Sequence, residues 1–376
     1  MSRTGTGKVV LVTGVSRDLG RRFARQLAAE PGIRRVIGVD VVPPRGGDLG
    51  DASFVRADIR NPVIAKIIAK EDVEVVVHMS VIATPGSAGG RGTMKELNVI
   101  GTMQLLAACQ KAPSVQHLVV KSTTTVYGAS SRDPAMFTED MEPRRAPRSG
   151  YAKDVAEIEG YVRGFARRRP DVTVTMLRCA NVIGPHVVSP LTSYFRLPVL
   201  PVVAGFDARL QLLHETDLFS VLDHAVAHPR QGTFNVAGDG LLMLSQAVRR
   251  MRRPTVPLPG FAVGNLGSLL RSARVADFSP EQLAFLTYGR GVDTTRMRTE
   301  LGFEPAFTTE QAFADFASRL TPTGGRLERA VGALAEQLPS ARGGQVDTPA
   351  DGAHDPDAGA RPPGLVAVPD QEAGRG

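Results

Sequence analysis

A glycine-bounded turn between a strand and a helix is the part of this sequence best suited to hold a charged ligand. The buried-strand pattern 9–12 leads into Gly14, and a helix-like run begins at Leu19-Gly20. Such a helix start presents unpaired N–H groups and a positive dipole end to a phosphate, and glycines let the backbone come close to it. The alternative is a turn that only shapes the fold. The candidate phosphate contacts are Gly14, Ser16, Arg17, Asp18, Leu19 and Gly20.

Acidic residues end the next two strand-like runs. Asp40 lies about 20 residues beyond the glycine turn, where a carboxylate can accept both hydroxyls of an adenosine ribose and repel a 2′-phosphate. This position favours NAD over NADP, although Arg45 lies nearby and would suit NADP. A plain turn residue before two prolines is the alternative for Asp40. Asp58, followed by Ile59, stands where a side chain can reach an adenine amino group.

Polar side chains at three later positions are further candidates for ligand contact. Ser122 and Thr123 begin a run of four hydroxyls after the strand-like run 115–121, at the end where parallel sheets place their ligands. His78 ends another strand-like run and is a candidate contact to the cofactor ribose, the alternative being a structural histidine. Asn98 lies in a helix-like run among apolar neighbours, where it is either paired and buried or exposed.

Strand-like and helix-like runs alternate through residue 178, which predicts an α/β fold with a doubly wound parallel sheet. Shorter elements follow Asn181 and predict a smaller second domain at the carboxyl edge of the sheet. The predicted domains are 1–180, 181–320 with segments that return to the sheet, and a mostly disordered tail, 321–376. The predicted strands are 9–12, 35–40, 54–60, 73–78, 115–121, 172–178 and 232–236, and the predicted helices are 62–70, 93–110, 149–168, 213–227 and 245–251.

Composition indicates an ordinary globular protein, since 42% of the 376 residues are hydrophobic and 22% are charged. The first residues are polar and no long apolar run occurs, so we expect neither a signal peptide nor a membrane span. Cys109 and Cys179 are the two cysteines, and both read as small buried hydrophobes. A reducing cytoplasm fits, and neither a disulfide framework nor a metal site is predicted.

The net charge of +7 belongs to the body of the chain, because the segment 321–376 carries five Arg and eight Asp and Glu. Scattered arginine clusters without interleaved aromatics suit a doubly phosphorylated ligand better than nucleic acid, which is the alternative. The apolar segment Leu258–Leu270 reads as core or pocket lining, with a surface patch as the alternative.

Together these residues resemble the extended short-chain dehydrogenase/reductase family, the NAD-dependent epimerases and dehydratases of nucleotide sugars that include UDP-glucose 4-epimerase. The resemblance runs from about Lys8 to Phe316 and implies a Rossmann domain, bound NAD, a C-terminal substrate-binding part and often a homodimer. The motifs that carry it are Thr13-Gly14 with Leu19-Gly20, Asp40, Ala57-Asp58-Ile59, Val77-His78, Asn98 with Gly101-Thr102, the run 122–128, Lys153 with Ala156-Glu157, Arg178 with 181–185, the run 214–217, and Asp293 with Leu301-Gly302.

The chain departs from the family at two functional positions. The middle glycine of the family's TGxxGxxG turn falls on Arg17, whose guanidinium can neutralise a pyrophosphate while its Cβ narrows the approach. The family's acid/base is a Tyr four residues before a Lys, on one helix face. Lys153 is identified as that lysine, which places Ser149 at the tyrosine position. Tyr151 lies about 200° round a helix from Lys153 and serves only if the helix starts late.

The resemblance implies roles for the hydroxyls and a class of reaction. Thr123 matches the family's active-site hydroxyl, Lys153 would orient the ribose, and Tyr151 or Ser149 would move the proton. The positions of the dehydratases' Asp-Glu pair hold Thr124 and Thr125, which argues against sugar 4,6-dehydration.

The sequence thus favours an NAD-dependent epimerase or dehydrogenase acting on a nucleotide sugar or similar alcohol. The alternatives are a catalytically degenerate NAD-binding sensor or scaffold and an enzyme of steroid- or lipid-like alcohols. We expect a homodimer through the helices 93–110 and 149–168.

Overall fold

Seven parallel strands form the central sheet of the computed structural model, which describes residues 7–44, 49–80, 89–143, 150–259 and 279–320. The strands are β1 (Lys8–Thr13), β2 (Ile33–Asp40), β3 (Ser53–Arg56), β4 (Val75–His78), β5 (His117–Thr123), β6 (Thr173–Cys179) and β11 (Gly232–Val236). Their order is β11-β6-β5-β4-β1-β2-β3, and every neighbouring pair is parallel. The order reverses between β1 and β4, so a crevice for a ligand opens at their carboxyl ends. The predicted doubly wound parallel sheet is confirmed.

Helices cover both faces of the sheet, because successive strand side chains point to opposite sides. On one face, Val10 and Val12 pack into a core with Phe23 and Leu222. On the other face, Leu11 belongs to a second core. The first face carries α1 (Asp18–Ala28) and α7 (Glu215–Ala227), and the second carries α2 (Val63–Lys70), α4 (Gly101–Lys111) and α5 (Gly150–Arg168).

The single helix predicted over 93–110 is divided into three segments. It comprises α3 (Arg91–Lys95), a π-helical segment (Glu96–Ile100) and α4. The Thr102 hydroxyl donates to the carbonyl oxygen of Asn98 at 2.5 Å, so a side chain competes with the backbone for this acceptor. Gly101 packs so tightly that an added Cβ would lie 2.8 Å from Ile59 Cδ1. These local contacts are not encoded in the apolar periodicity and explain the wider turn.

Smaller sheets and helices follow β6 and enclose a third core. The predicted helix 213–227 begins at Glu215, because Leu212–His214 pairs as a strand with Asn181–Ile183 and His214 Nδ1 accepts the N–H of Thr216.

All described residues belong to one compact unit, and the boundary at residue 180 stays a prediction. The remaining elements are β7 (Asn181–Ile183), α6 (Pro190–Phe195), β8 (Leu200–Val203), β9 (Arg209–Leu210), β10 (Leu212–His214), β12 (Leu242–Met243), α8 (Leu244–Met251), β13 (Thr255–Leu258), a helix Pro280–Tyr288, β14 (Gly289–Arg290), a π-helical segment Met297–Leu301 and a helix Thr309–Ser318.

Several predictions fall outside the described residues. They concern Arg45, Ser149, most of the apolar segment Leu258–Leu270 and the tail 321–376. Within the described ranges Cys109 and Cys179 are both buried, as predicted. Among these same residues no helix has the length and apolarity needed to cross a membrane, and no cluster of His, Cys, Asp and Glu could hold a metal.

Candidate active site

The turn after β1 has the geometry of a phosphate cradle. Gly14 has a φ of +84°, and a Cβ on Gly20 would lie 2.2 Å from the carbonyl oxygen of Gly14. Both positions therefore require glycine, one for its backbone conformation and one for close packing of strand against helix. Arg17 precedes α1 and its side chain does not cap the helix. The N–H groups of the first turn thus keep their capacity to bind an anion.

Asp40 lies at the end of β2, next to this turn. Its carboxylate accepts the N–H of Ser16 at 2.9 Å and that of Val41 at 2.8 Å, which leaves further lone pairs for a ligand. Burial lowers the pKa of the Arg17 guanidinium, and the charge of Asp40 opposes that shift. The predicted ribose carboxylate and the predicted phosphate turn are therefore adjacent in the fold.

A cavity of about 460 Å³ opens at the carboxyl ends of the strands. It brings the glycine turn, the end of β5 and the start of α5 together. The predicted site residues that line it are Gly14, Arg17, Asp18, Leu19, Gly20, Thr123 and Tyr151. The predicted residues that do not line it, within the described ranges, are Ser16, Asp40, Asp58, Ile59, His78, Asn98, Ser122 and Lys153.

The side chains of His78 and Ser122 are buried and bonded within the protein. This finding corrects two of the predicted ligand contacts. His78 is 1% exposed, and its ring nitrogens lie 2.8 Å from the hydroxyls of Thr13 and Thr102. Burial lowers its pKa to about 4, so the ring is neutral and links β1 to α4. Ser122 is buried and its hydroxyl donates to Glu159 at 2.6 Å. Neither side chain can reach a ligand in this arrangement.

Asn98, Asp58 and Ile59 also have partners within the protein. Asn98 is fully buried on the π-helical segment, which agrees with a paired amide rather than an exposed one. Arg60 binds the Asp58 carboxylate at 2.6 Å, and this hydrogen bond holds the pKa of Asp58 below its usual range. Ile59 is buried, and its side chain packs on Gly101. Adenine contacts from Asp58 and Ile59 stay a prediction.

From the sequence we expected Lys153 in the site and Tyr151 on the far side of the helix. The structure shows the reverse. Tyr151 lines the cavity and packs against the core beside the sheet. Burial raises the pKa of its phenol, and Cys179 and Asp154 add to that rise. The Lys153 side chain is 43% exposed, and its Nζ lies 3.8 Å from Glu157. Lys153 is therefore not placed to orient a cofactor ribose, which corrects the role predicted for it.

The helix face that carries Tyr151 explains this correction. Residues at successive intervals of four share one face, and here they are Tyr151, Val155 and Glu159. Val155 is fully buried, and Glu159 pairs with Arg178 at 2.7 Å beneath the end of the sheet. Because α5 is already helical at Tyr151, the tyrosine faces the cavity and valine stands four residues later. The repeat of Tyr151 and Glu159, eight residues apart, is the signal that sequence reasoning missed.

Hydroxyl and cationic side chains complete the cavity wall. Thr123 Oγ1 lies 3.1 Å from Thr125 Oγ1 at the end of β5, and both residues line the cavity. Lys121, two residues earlier on the same strand face, also lines it, and its side chain has no hydrogen bond or ion pair with another described residue. Arg290 lines it as well, and its Nε donates to the carbonyl oxygen of Gly128 at 2.6 Å. Burial lowers the pKa of Arg290 to about 10. Lys121 was overlooked in the sequence, although a charge ending an apolar strand is a visible signal.

A buried network fixes the strand ends below the cavity. The Arg178 guanidinium donates to Glu159 at 2.7 Å and to the Tyr127 hydroxyl at 2.7 Å. The Tyr127 hydroxyl donates in turn to Asn235 Oδ1 at 2.8 Å on β11. Paired charges of this kind tolerate burial because each lone pair and proton is satisfied. The network ties α5, β5, β6 and β11 together and so sets the position of Tyr151.

Similar proteins have been described. An uncharacterized protein of Mycobacterium tuberculosis is 53% identical over 312 residues, which cover 82% of this chain and 83% of that protein. The structure of UDP-glucose 4-epimerase with UDP-glucose from Thermotoga maritima has a TM-score of 0.63 at 20% identity and covers 83% of this chain and 98% of the epimerase. The structure of dTDP-glucose 4,6-dehydratase in complex with NAD from Bacillus anthracis has a TM-score of 0.63 at 21% identity and covers 83% and 96%.

At such identities the solved structures establish the fold alone. The sequence of residues 10–237 matches the NAD dependent epimerase/dehydratase family, and this match spans more than half of the chain. It includes the glycine turn, the hydroxyls that end β5 and the helix of Tyr151. The chain therefore belongs to the NAD-dependent epimerase/dehydratase family.

Proposed function

We propose that this protein binds NAD and transfers a hydride between NAD and an alcohol carbon of a nucleotide sugar or a similar alcohol. The observation that carries the proposal is a single cavity lined by the phosphate turn, Thr123 and Tyr151. We assign NAD binding to residues 1–180 and the substrate to 181–320. The fold alone does not distinguish an enzyme from a catalytically degenerate binding protein. A phenol and a hydroxyl in one cavity, in contrast, can transfer a proton.

The residues present fit NAD. The uncapped first turn of α1 offers N–H groups to the pyrophosphate, and Arg17 adds a positive charge beside them. Asp40 has lone pairs left for the ribose hydroxyls and would repel a 2′-phosphate. When bound, NAD supplies the acceptor or donor of the hydride.

Tyr151 is the acid/base group in this proposal. Its raised pKa keeps the phenol protonated near neutral pH, so a proton is present for the oxygen of a carbonyl that is being reduced, although the phenol is a weaker acid. In the opposite direction it must accept the proton of the alcohol, and Lys121 is a cation that lines the same cavity. Thr123 binds the reacting oxygen. Ser149 stays a candidate relay outside the described residues, and Lys153 has no part.

A nucleotide sugar suits the charge of the cavity. Lys121, Arg17 and Arg290 all line it, and a diphosphate would neutralise such a set of cations. The similar epimerase of Thermotoga maritima was solved with UDP-glucose, which supports this class of substrate. We further propose a homodimer, because exposed apolar side chains lie on the segment 96–111 and on α5.

Nucleotide binding tests the first half of this proposal. Mass spectrometry of small molecules released from the purified protein should detect NAD, and titration of the stripped protein should give tighter binding of NAD than of NADP. Asp40→Ala should weaken NAD binding by about tenfold, a loss typical of one charged hydrogen bond. Asp51→Ala, an exposed acid on the neighbouring turn, is the matched control. Equal NAD affinity in wild type and Asp40→Ala would contradict the assignment.

A further inference from the structure

A histidine on the wall of the same cavity is hydrogen-bonded to a buried glutamate. His186 follows β7, lines the cavity and has a side chain that is 69% exposed. Its Nδ1 lies 2.9 Å from Glu215 Oε1, and the Glu215 side chain is only 3% exposed. Because an ionised carboxylate only accepts, Nδ1 carries the hydrogen and Nε2 keeps its lone pair. Nε2 has no hydrogen-bond partner among the described residues.

Besides His186, an arginine holds the carboxylate of this pair. Arg22 Nη1 lies 2.5 Å from Glu215 Oε2, and the Arg22 guanidinium stacks 4.9 Å above the ring of Phe219. A Cβ on Gly184 would lie 2.6 Å from Glu215 Cγ, so glycine leaves the space that this side chain occupies. Glu215, the first residue of α7, is thus held from α1 by Arg22 and from the loop after β7 by His186. A carboxylate that orients an imidazole in this way sets its tautomer.

The proposed hydride transfer creates a use for a second base. Oxidation turns the alcohol carbon into a carbonyl, which acidifies the hydrogens on the neighbouring carbon. Thr124 and Thr125 stand after the active-site hydroxyl, and a threonine hydroxyl cannot accept a proton at neutral pH. An imidazole can, because its ordinary pKa is close to neutral. The cavity therefore holds a base for the neighbouring carbon in addition to the phenol for the oxygen.

We propose that His186, positioned by Glu215, removes a proton from the carbon next to the substrate carbonyl; this inference rests on the proposed function. The C–H bond breaks, the proton moves to Nε2, and the electron pair forms the C=C bond of an enolate. Tyr151 and Thr123 stabilise the enolate oxygen with their hydroxyl groups. Return of a solvent-exchanged proton from Nε2 to the same face regenerates the ketone and exchanges the hydrogen on that carbon. The step is redox-neutral and extends the reaction to the carbon beside the one that is oxidised.

Deuterium exchange tests the inference without requiring hydride transfer. The probe is dTDP-4-keto-6-deoxyglucose, a ketone supplied ready-made, incubated in D₂O with the full-length protein and analysed by mass spectrometry. We expect exchange of carbon-bound hydrogen above the buffer rate. His186→Asn keeps an amide N–H near the position of Nδ1 and so preserves the bond to Glu215, but it lacks Nε2. It should lower the exchange rate by about 100-fold, as for loss of a general base.

Further variants separate a catalytic role from a structural one. His228→Gln changes an exposed histidine at the end of α7 that does not line the cavity, and it should exchange like wild type. Glu215→Gln should slow exchange, because an amide can present its N–H to Nδ1 and no longer fixes the tautomer of the imidazole. Exchange at the wild-type rate in His186→Asn, or no exchange above buffer in wild type, would overturn the inference.

The failure of this inference is distinguishable from failure of the proposed function. A transient of NADH with a nucleotide sugar, together with no exchange of the ketone probe, removes the role of His186 and keeps hydride transfer. Exchange that depends on His186, without any NADH transient, supports the second base and contradicts the proposed redox step.

Discussion

At the scale of single residues, the chemistry of the site depends on Tyr151, which lines the cavity, and not on Lys153, which does not. The tyrosine lines the cavity, whereas the lysine is 43% exposed and lies near Glu157. Val155 occupies the inward position four residues after the tyrosine and cannot supply a charge. Lys121 on β5 is a cation that lines the same cavity.

Asp223 gives the protein a pH-dependent stability. Its Oδ1 is buried without a hydrogen-bond partner among the described residues, and desolvation raises its pKa from 3.8 to about 7. The folded state therefore binds the proton more tightly, and the free energy of unfolding falls as pH rises from about 4 to about 7. We expect Asp223→Asn to flatten this slope and to stabilise the protein by about 1–2 kcal/mol at pH 8.

Denaturant unfolding at several pH values measures this effect. Asp51→Asn, an exposed acid with no hydrogen-bonded partner among the described residues, is the control and should leave the pH dependence unchanged. A wild-type protein that becomes more stable between pH 4 and pH 7 relative to Asp223→Asn would contradict the assignment.

The roles of single residues were predictable from the sequence where one local rule decides them. They were less predictable where two rules compete. Gly14, Gly20 and Thr123 follow from strand, turn and helix order, and the structure places all three at the cavity. The direction of each side chain on α5 depends on the helical register. Successive residues point about 100° apart around the helix axis, and the residue at which a helix begins is hard to predict. Lys153 was expected as the site lysine because it was matched to the family's lysine, with Ala156-Glu157 after it. His186 and Glu215 are 29 residues apart and meet only through tertiary folding.

At the scale of elements, the β1 turn and α1 form a unit whose backbone does the binding. Gly20 lies so close to Gly14 that any side chain would push the helix away from the strand. The same contact orients the first N–H groups of α1 towards the cavity. Affinity for a pyrophosphate should thus depend on Gly20, although glycine has no side chain that could contact the ligand.

Gly20→Ala tests this role of the turn. The Cβ would meet the Gly14 carbonyl oxygen at 2.2 Å, so the turn must shift. We expect NAD affinity to fall by about tenfold or more and the free energy of unfolding to fall by about 1–3 kcal/mol. Gly160→Ala on α5 is the matched control, because its Cβ would meet nothing within 4 Å and alanine favours a helix by about 1 kcal/mol. Unchanged NAD affinity in Gly20→Ala would contradict the account of the turn.

Element order was the most predictable property of this chain. Alternating runs through residue 178 predicted six strands and the parallel sheet, and the strand 232–236 was also expected. The π-helical segment was not, because it depends on the Thr102 hydroxyl bonding to the carbonyl of Asn98. Short strands such as β7 and β10 were also missed, since three-residue elements carry no periodicity of their own.

At the scale of the whole molecule, exposed apolar side chains cluster on two neighbouring segments. Ile100 is 43% exposed and Met103 39% exposed on the segment 96–111, and Tyr161 is 38% exposed on α5. The segments contact each other within the chain, so the three side chains can share one surface. Apolar groups grouped on helices are typical of a subunit interface. A second copy of the chain would bury them in a four-helix contact.

Light scattering during size-exclusion chromatography tests this interface. We expect a dimer for the wild type and a monomer for the double variant Met103→Glu and Tyr161→Glu, because two buried charges without partners oppose association. Val63→Glu, at an exposed apolar position at the start of α2, should remain dimeric. A wild-type monomer, or a dimeric double variant, would contradict the proposed interface.

The direct test of the central claim is the transient formation of NADH on the enzyme. The wild type, saturated with NAD, is mixed with UDP-glucose, UDP-galactose, UDP-glucuronic acid or dTDP-glucose, and NADH fluorescence is followed. Tyr151→Phe should slow the transient by about 100-fold, since it removes the acid/base hydroxyl, whereas Lys153→Met should retain the wild-type rate. Absence of any transient in the wild type, or a loss caused by Lys153→Met and not by Tyr151→Phe, would contradict the account.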